Sequence, residues 1–99
     1  MQTARAGTSE VAILGRVLEP EQATLDVAAA RAFLDFDFSK ADKGRMRLLL
    51  AKAKEGALTA DEESELDRYE LVGHILSLMK SKARRSLKVS RDNAPTKVR

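Results

Sequence analysis

The chain lacks cysteine and tryptophan, and its 99 residues include only two prolines, five glycines, one histidine and four aromatic side chains. Without cysteine there is neither a disulfide framework nor a thiolate metal site. That composition suits the reducing cytosol, and a cytoplasmic location is expected. Phe33, Phe36, Phe38 and Tyr69 are too few to form a stacking platform for single-stranded nucleic acid. No apolar run approaches the ~20 residues that a membrane-spanning helix needs. The N-terminus does not carry the basic-then-apolar order of a signal peptide. The sequence contains no phosphate-loop glycine pattern, no serine–histidine–acid set and no zinc spacing. The expectation is therefore a protein without catalytic residues, cofactor, metal or membrane partner.

What the chain does have is charge and aliphatic residues. Hydrophobic residues make up 43% and charged residues 33%, which fits one small globular domain with a heavily ionised surface. The net charge of +3 conceals an asymmetry, because residues 1–79 hold 10 basic and 14 acidic side chains and residues 80–99 hold 8 basic and 1 acidic. The basic character belongs mostly to the C-terminal end.

The stretch from Leu58 to Leu87 organises the rest. Thr59 and Glu62 have capping-box spacing, in which a hydroxyl and a carboxylate each satisfy an otherwise orphan amide. Asp61, Glu62, Glu63 and Glu65 crowd the first turns, and Lys80, Lys82, Arg84, Arg85 and Lys88 crowd the last, as the helix dipole favours. The reading is one helix from about residue 60 to about residue 87, roughly 40 Å long.

Three shorter helices should precede it. Ser9 caps a helix through Leu18, with Val11, Leu14 and Leu18 at helical spacing, and Pro20 stops it. Asp26 caps a second helix from Val27 to about Phe36, although Pro20 offers a competing, earlier start. Ala29, Ala32, Phe33 and Phe36 line one of its faces. Ser39 and Asp42 begin a third helix, about Lys40 to Glu55, with an apolar stripe of Met46, Leu49, Leu50 and Ala53. Gly56 falls where a left-handed C-cap is expected. The short link to Thr59 predicts an antiparallel hairpin of helices three and four. Residues 40–54 carry 6 basic and 1 acidic side chains and residues 55–70 carry 7 acidic and 1 basic, so the two helices attract. The overall expectation is an all-α domain over residues 9–88, with residues 1–8 and a basic tail, residues 89–99, disordered.

The long helix has an apolar arc of roughly 180°, wider than one partner helix requires. It should therefore meet more than one neighbour. Tyr69, Val72, Ile75, Leu76, Met79, Ala83 and Leu87, with Leu71, are the candidates for core or for contact with another protein. Lys80, Lys82, Arg84, Arg85, Lys88 and Arg91 form an electrostatic footprint suited to nucleic acid or an acidic partner. Against the first reading stands a plain core, and against the second a solvated helix end. Helices three and four do not read as a DNA-binding helix-turn-helix, because the second opens with acids that phosphate would repel.

Other polar groups have simpler readings. Asp35-x-Asp37-x-Ser39 begins like a calcium loop, but Lys40 stands at the glycine position and Met46 at the bidentate glutamate position. Helix capping accounts for those residues. His74, one turn after Glu70, reads as a surface histidine paired loosely with it. The acids from Asp61 to Asp67 read as dipole and solubility chemistry.

The block Glu55-Gly56-x-Leu58-Thr59-x-x-Glu62-Glu63-x-Glu65-Leu66-Asp67-x-Tyr69-Glu70-x-Val72-Gly73-His74-x-Leu76-x-Leu78-x-Lys80-Ser81-Lys82-Ala83-Arg84, together with Ile13-Leu14-x-Arg16-Val17-Leu18-Glu19-Pro20, resembles a family of small uncharacterised bacterial proteins. The resemblance covers about residues 11 to 88. It implies a helical bacterial protein encoded near HNH endonucleases, with an antitoxin-like or accessory role. The expected function is a non-catalytic module that binds another protein, with a nucleic-acid binder and a self-associating structural protein as alternatives.

Overall fold

Four helices account for most of residues 8–92, the part of the chain that the computed structural model describes: α1 Glu10–Leu18, α2 Val27–Asp35, α3 Lys40–Lys54 and α4 Ala60–Asp92. The described residues contain no strand and no helix long and apolar enough to cross a membrane.

Each start has the local chemistry expected of it. Ser9 Oγ accepts the Ala12 amide at 3.0 Å, Asp26 Oδ1 accepts that of Ala29 at 2.8 Å, and Ser39 Oγ accepts that of Asp42 at 3.1 Å. The cap at Asp26 decides against the earlier start at Pro20. Thr59 and Glu62 form the full reciprocal box: Glu62 N–H donates to Thr59 Oγ1 at 3.1 Å, and Thr59 N–H donates to Glu62 Oε1 at 3.0 Å. Gly56 closes α3 at φ +66°, where a side chain would be strained, and its amide donates to the Ala53 carbonyl.

Two further ends differ in outcome, since α1 stops at Leu18 as expected and α4 runs on. Glu19, just before Pro20, takes the left-handed conformation at φ 47° and ψ 64°. Its amide donates to the Gly15 carbonyl at 2.9 Å, which completes the last turn of α1. The difference from expectation is α4, which continues past Leu87 to Asp92, so residues 89–92 are helix rather than tail. Low apolar content does not stop a helix, and the first breaking residue after Thr59 is Pro95, since Gly73 only weakens the helix. The added turn carries an i,i+4 ion pair, Lys88 to Asp92 at 3.3 Å. The disorder read for residues 1–7 and 93–99 lies outside the described residues.

The chain divides into two compact units, residues 37–74 and the combination of residues up to 36 with those from 75 onward. Both draw on α4, so its wide apolar arc does serve more than one set of neighbours.

In the 37–74 unit, α3 and the first half of α4 form the expected hairpin around Leu49 and Leu66, both buried. Leu50 and Ala53, read as part of the α3 stripe, are exposed. A stripe of 100° admits Leu49 or Leu50 to the centre, not both. Phe38 packs edge-on to Tyr69 with ring centroids 5.9 Å apart, and its ring lies 3.9 Å from where a Gly73 Cβ would stand. The opposite charges of the two helices meet as specific pairs. Arg45 makes a two-pronged contact with Glu65, at 2.8 Å on each prong, and Lys52 meets Glu62 at 2.6 Å.

The other unit packs α1 and α2 on the second half of α4. Ala30 and Ala83 are completely buried. Leu78 reaches within 3.9 Å of the position that a Gly15 Cβ would take. Ala30, rather than Ala32, is the closed position of α2, and Ala32 and Phe36 are exposed. The segment joining α1 to α2 is held by two polar side chains of α4. Lys82 Nζ donates to the carbonyls of Glu19 and Gln22 at 3.2 and 3.1 Å. The Leu25 amide donates to Ser86 Oγ at 3.1 Å.

Candidate interaction surfaces

The structure sorts the apolar candidates of α4 into three grades. Ala83 is closed core. Ile75, Leu76, Met79 and Leu87 are half-buried. Leu71 and Val72 stay open, at 40% and 44% exposure. Ala83 is therefore no contact residue for another protein: its methyl group is consumed by the fold.

Val72 and Tyr69 line an open groove of about 260 Å³ in the 37–74 unit, together with Glu65 and Arg68. These residues repeat at i, i+3, i+4 and i+7, so the groove follows one side of α4. Its ionic groups are largely committed. Arg45 holds Glu65, and the pairing keeps the glutamate below the ordinary carboxylate value and raises the guanidinium above its own. The Tyr69 hydroxyl donates to Asp42 Oδ1 at 2.7 Å, and this bond to a carboxylate pushes the phenol up. The Lys52 ammonium, with the Thr59 amide, pulls Glu62 down. The tyrosine is thus fixed in direction by its polar end, and its ring remains for Phe38 on one side and the groove on the other.

The basic candidates divide as well. Lys82 is only 7% exposed, and its ammonium is spent on two backbone carbonyls, so it is not part of an electrostatic surface. A lysine on the inward face of a helix needs acceptors, and the α1–α2 connection supplies them. Lys80 is half-buried, and Arg84, Arg85, Lys88 and Arg91 are exposed. Lys80, Arg84, Lys88 and Arg91 follow one another at intervals of four, four and three, which places them on one side of α4. A second groove, of about 370 Å³, lies at the end of that row, lined by Val27, Arg31, Leu87, Ser90 and Arg91.

Arg31 was not among the residues singled out by sequence. The signal was its position four residues after Val27, which puts both on one face of α2.

The remaining polar groups are engaged locally. Asp37 Oδ1 accepts the Phe38 amide at 2.8 Å and Oδ2 meets Lys43 at 2.7 Å. Ser39 both caps α3 and donates to Asp42 Oδ2 at 3.0 Å. His74 is exposed, and among the described residues it makes no hydrogen bond to Glu70. The described residues contain no cluster of three or more histidines, cysteines or acids placed to hold a metal ion. Comparison with family models finds no match for the chain, and comparisons with curated proteins and with solved structures find none either.

Proposed function

We propose that the chain is a non-catalytic protein-interaction module that receives an apolar helix of another protein in the groove at Tyr69 and Val72. The observation that carries this reading is the open apolar strip formed by those two residues. Tyr69 supplies a large ring at low entropic cost because Asp42 already holds its hydroxyl. Contact of this kind is helix-in-groove recognition, in which a few apolar anchors carry the affinity. Arg68 at the rim makes no ion pair among the described residues and favours a partner with a carboxylate near its anchor. The family resemblance makes a neighbouring HNH nuclease the first partner to try, in an antitoxin-like or accessory role in the cytoplasm.

The test is co-expression with the product of the neighbouring nuclease gene, followed by size exclusion with light scattering. A complex is expected. Val72→Asp should abolish it while the chain stays folded, since that side chain is 44% exposed. A complex that forms equally well with Val72→Asp would overturn the reading, as would a chain that pairs only with itself.

A further inference from the structure

We propose that the groove between Arg31 and Arg91, continued by Lys88, Arg84 and Lys80, binds the phosphodiester backbone of nucleic acid. This site belongs to the unit that does not contain the Tyr69–Val72 groove, and it does not rest on the protein-binding reading.

Two helices each bring an arginine to the lining of the same groove, Arg31 from α2 and Arg91 from α4. Neither makes an ion pair among the described residues. The acids nearest in sequence do not neutralise them. Asp26 caps α2 through the Ala29 amide, Asp92 pairs with Lys88, and Asp35, four residues after Arg31, forms no ion pair with it. Two like charges facing one groove repel unless an anion joins them, and a guanidinium fork matches a phosphate. Ser90 adds a hydroxyl, and Val27 and Leu87 give an apolar wall against which a sugar can rest.

The row from Lys80 to Arg91 extends the site. Four residues of helix advance ~6 Å, so the four basic side chains are spread along about 16 Å on one side. Lys88 is in an exposed ion pair with Asp92 that a phosphate would have to displace. A regular row of cations suits a regularly charged polymer. Lys82, on the opposite face, takes no part. The groove lining includes no aromatic side chain, so no base stacks there. Backbone contact without base contact gives binding indifferent to sequence.

The experiment is fluorescence anisotropy of the full chain with a labelled duplex and a labelled single strand, each about 20 nucleotides long and in two unrelated sequences, over about 50 to 200 mM salt. Binding in the range of about 1–100 μM, equal for the two sequences and weakening with salt, is expected. Arg31→Gln with Arg91→Gln should weaken it about tenfold at low salt. The same pair should lower the slope of log K against log salt by about 2, one unit per lost phosphate contact. Arg47→Gln, an exposed arginine of α3 in the 37–74 unit, should change neither. Should the double variant lose helix content, Arg91→Lys serves instead: it keeps the slope and loses affinity about threefold, because the charge remains and the fork does not. The proposal is overturned if the chain binds neither probe at low salt. It is equally overturned if the double variant matches the unaltered chain, or if poly-glutamate competes charge for charge with the single strand, which would assign the groove to acidic protein.

Discussion

The ammonium of Lys82 donates to the carbonyl of Glu19, the one described residue other than glycine whose φ is positive. The Glu19 carbonyl also accepts the Gln22 amide, and Lys82 reaches the Gln22 carbonyl as well. A left-handed glutamate, a proline and a tight turn are therefore pinned from one point on α4. The side chain that looks most like part of a basic surface is a brace for the α1–α2 connection.

Lys82→Met removes that brace while keeping the aliphatic stem. Two carbonyls lose a charged donor, and stability should fall by about 1–3 kcal/mol. Arg84→Met, two residues on and exposed, should stay within about 0.5 kcal/mol. Urea unfolding of the two variants measures the difference, and equal midpoints would return Lys82 to the surface.

Glu19→Gly should stabilise the protein. Glycine adopts the left-handed conformation without the strain that a β-carbon imposes, and it is the usual residue just past a helix end. A gain of about 0.5–1 kcal/mol is expected, less whatever the freer unfolded chain takes back. A loss of stability would mean that the glutamate side chain itself makes a contact of value.

Leu49 and Leu50 are adjacent in sequence but differ in burial. Leu49 is completely enclosed, so Leu49→Ala should cost about 2–5 kcal/mol. Leu50 is 47% exposed, and Leu50→Ala should cost less than about 1 kcal/mol. Thermal melting distinguishes them directly.

Acid should weaken the α3–α4 hairpin. Glu62 and Glu65 titrate below the ordinary glutamate value of 4.5 because Lys52 and Arg45 hold their charged forms. The unfolded chain then binds protons more readily than the folded one. Their contribution is complete above that value and is lost as pH falls through their lowered folded values. Tyr69 gives the opposite limit, since its raised phenol supports the fold below the ordinary value of 10.0 and withdraws that support as pH rises further. Melting temperature against pH should fall at both ends, and replacing both glutamates with glutamine should flatten the acid limb.

Much of this fold was readable one helix at a time. Ser9, Asp26, Ser39, Thr59, Glu62 and Gly56 act within three residues of themselves, and short-range chemistry of that kind needs no knowledge of the rest of the chain. What could not be read depends on distant partners. Lys82 and Ser86 occupy inward positions of α4 near Ala83, but only the return of the 19–25 segment explains polar atoms there. The same applies to Leu50, which has the right residue type for a core and faces outward because Leu49 takes the centre. Of the candidate surfaces, Tyr69 and Val72 were visible from helical spacing and Arg91 from the concentration of basic residues at the C-terminal end. Arg31 was not, because its neighbours Leu87 and Arg91 lie in a different helix.

The division of α4 between two units bears on the order in which the chain is expected to fold. The 37–74 unit is continuous, and its ion pairs close loops of 10 and 20 residues, Lys52 to Glu62 and Arg45 to Glu65. It draws on no residue beyond 74. The first two helices have their partners in residues 75 to 92. Their ties, Lys82 to Glu19 and Leu25 to Ser86, span 63 and 61 residues. Loop closure over such distances is slow compared with a hairpin. On sequence separation alone, the 37–74 unit is expected to form before the Lys82–Glu19 and Leu25–Ser86 ties.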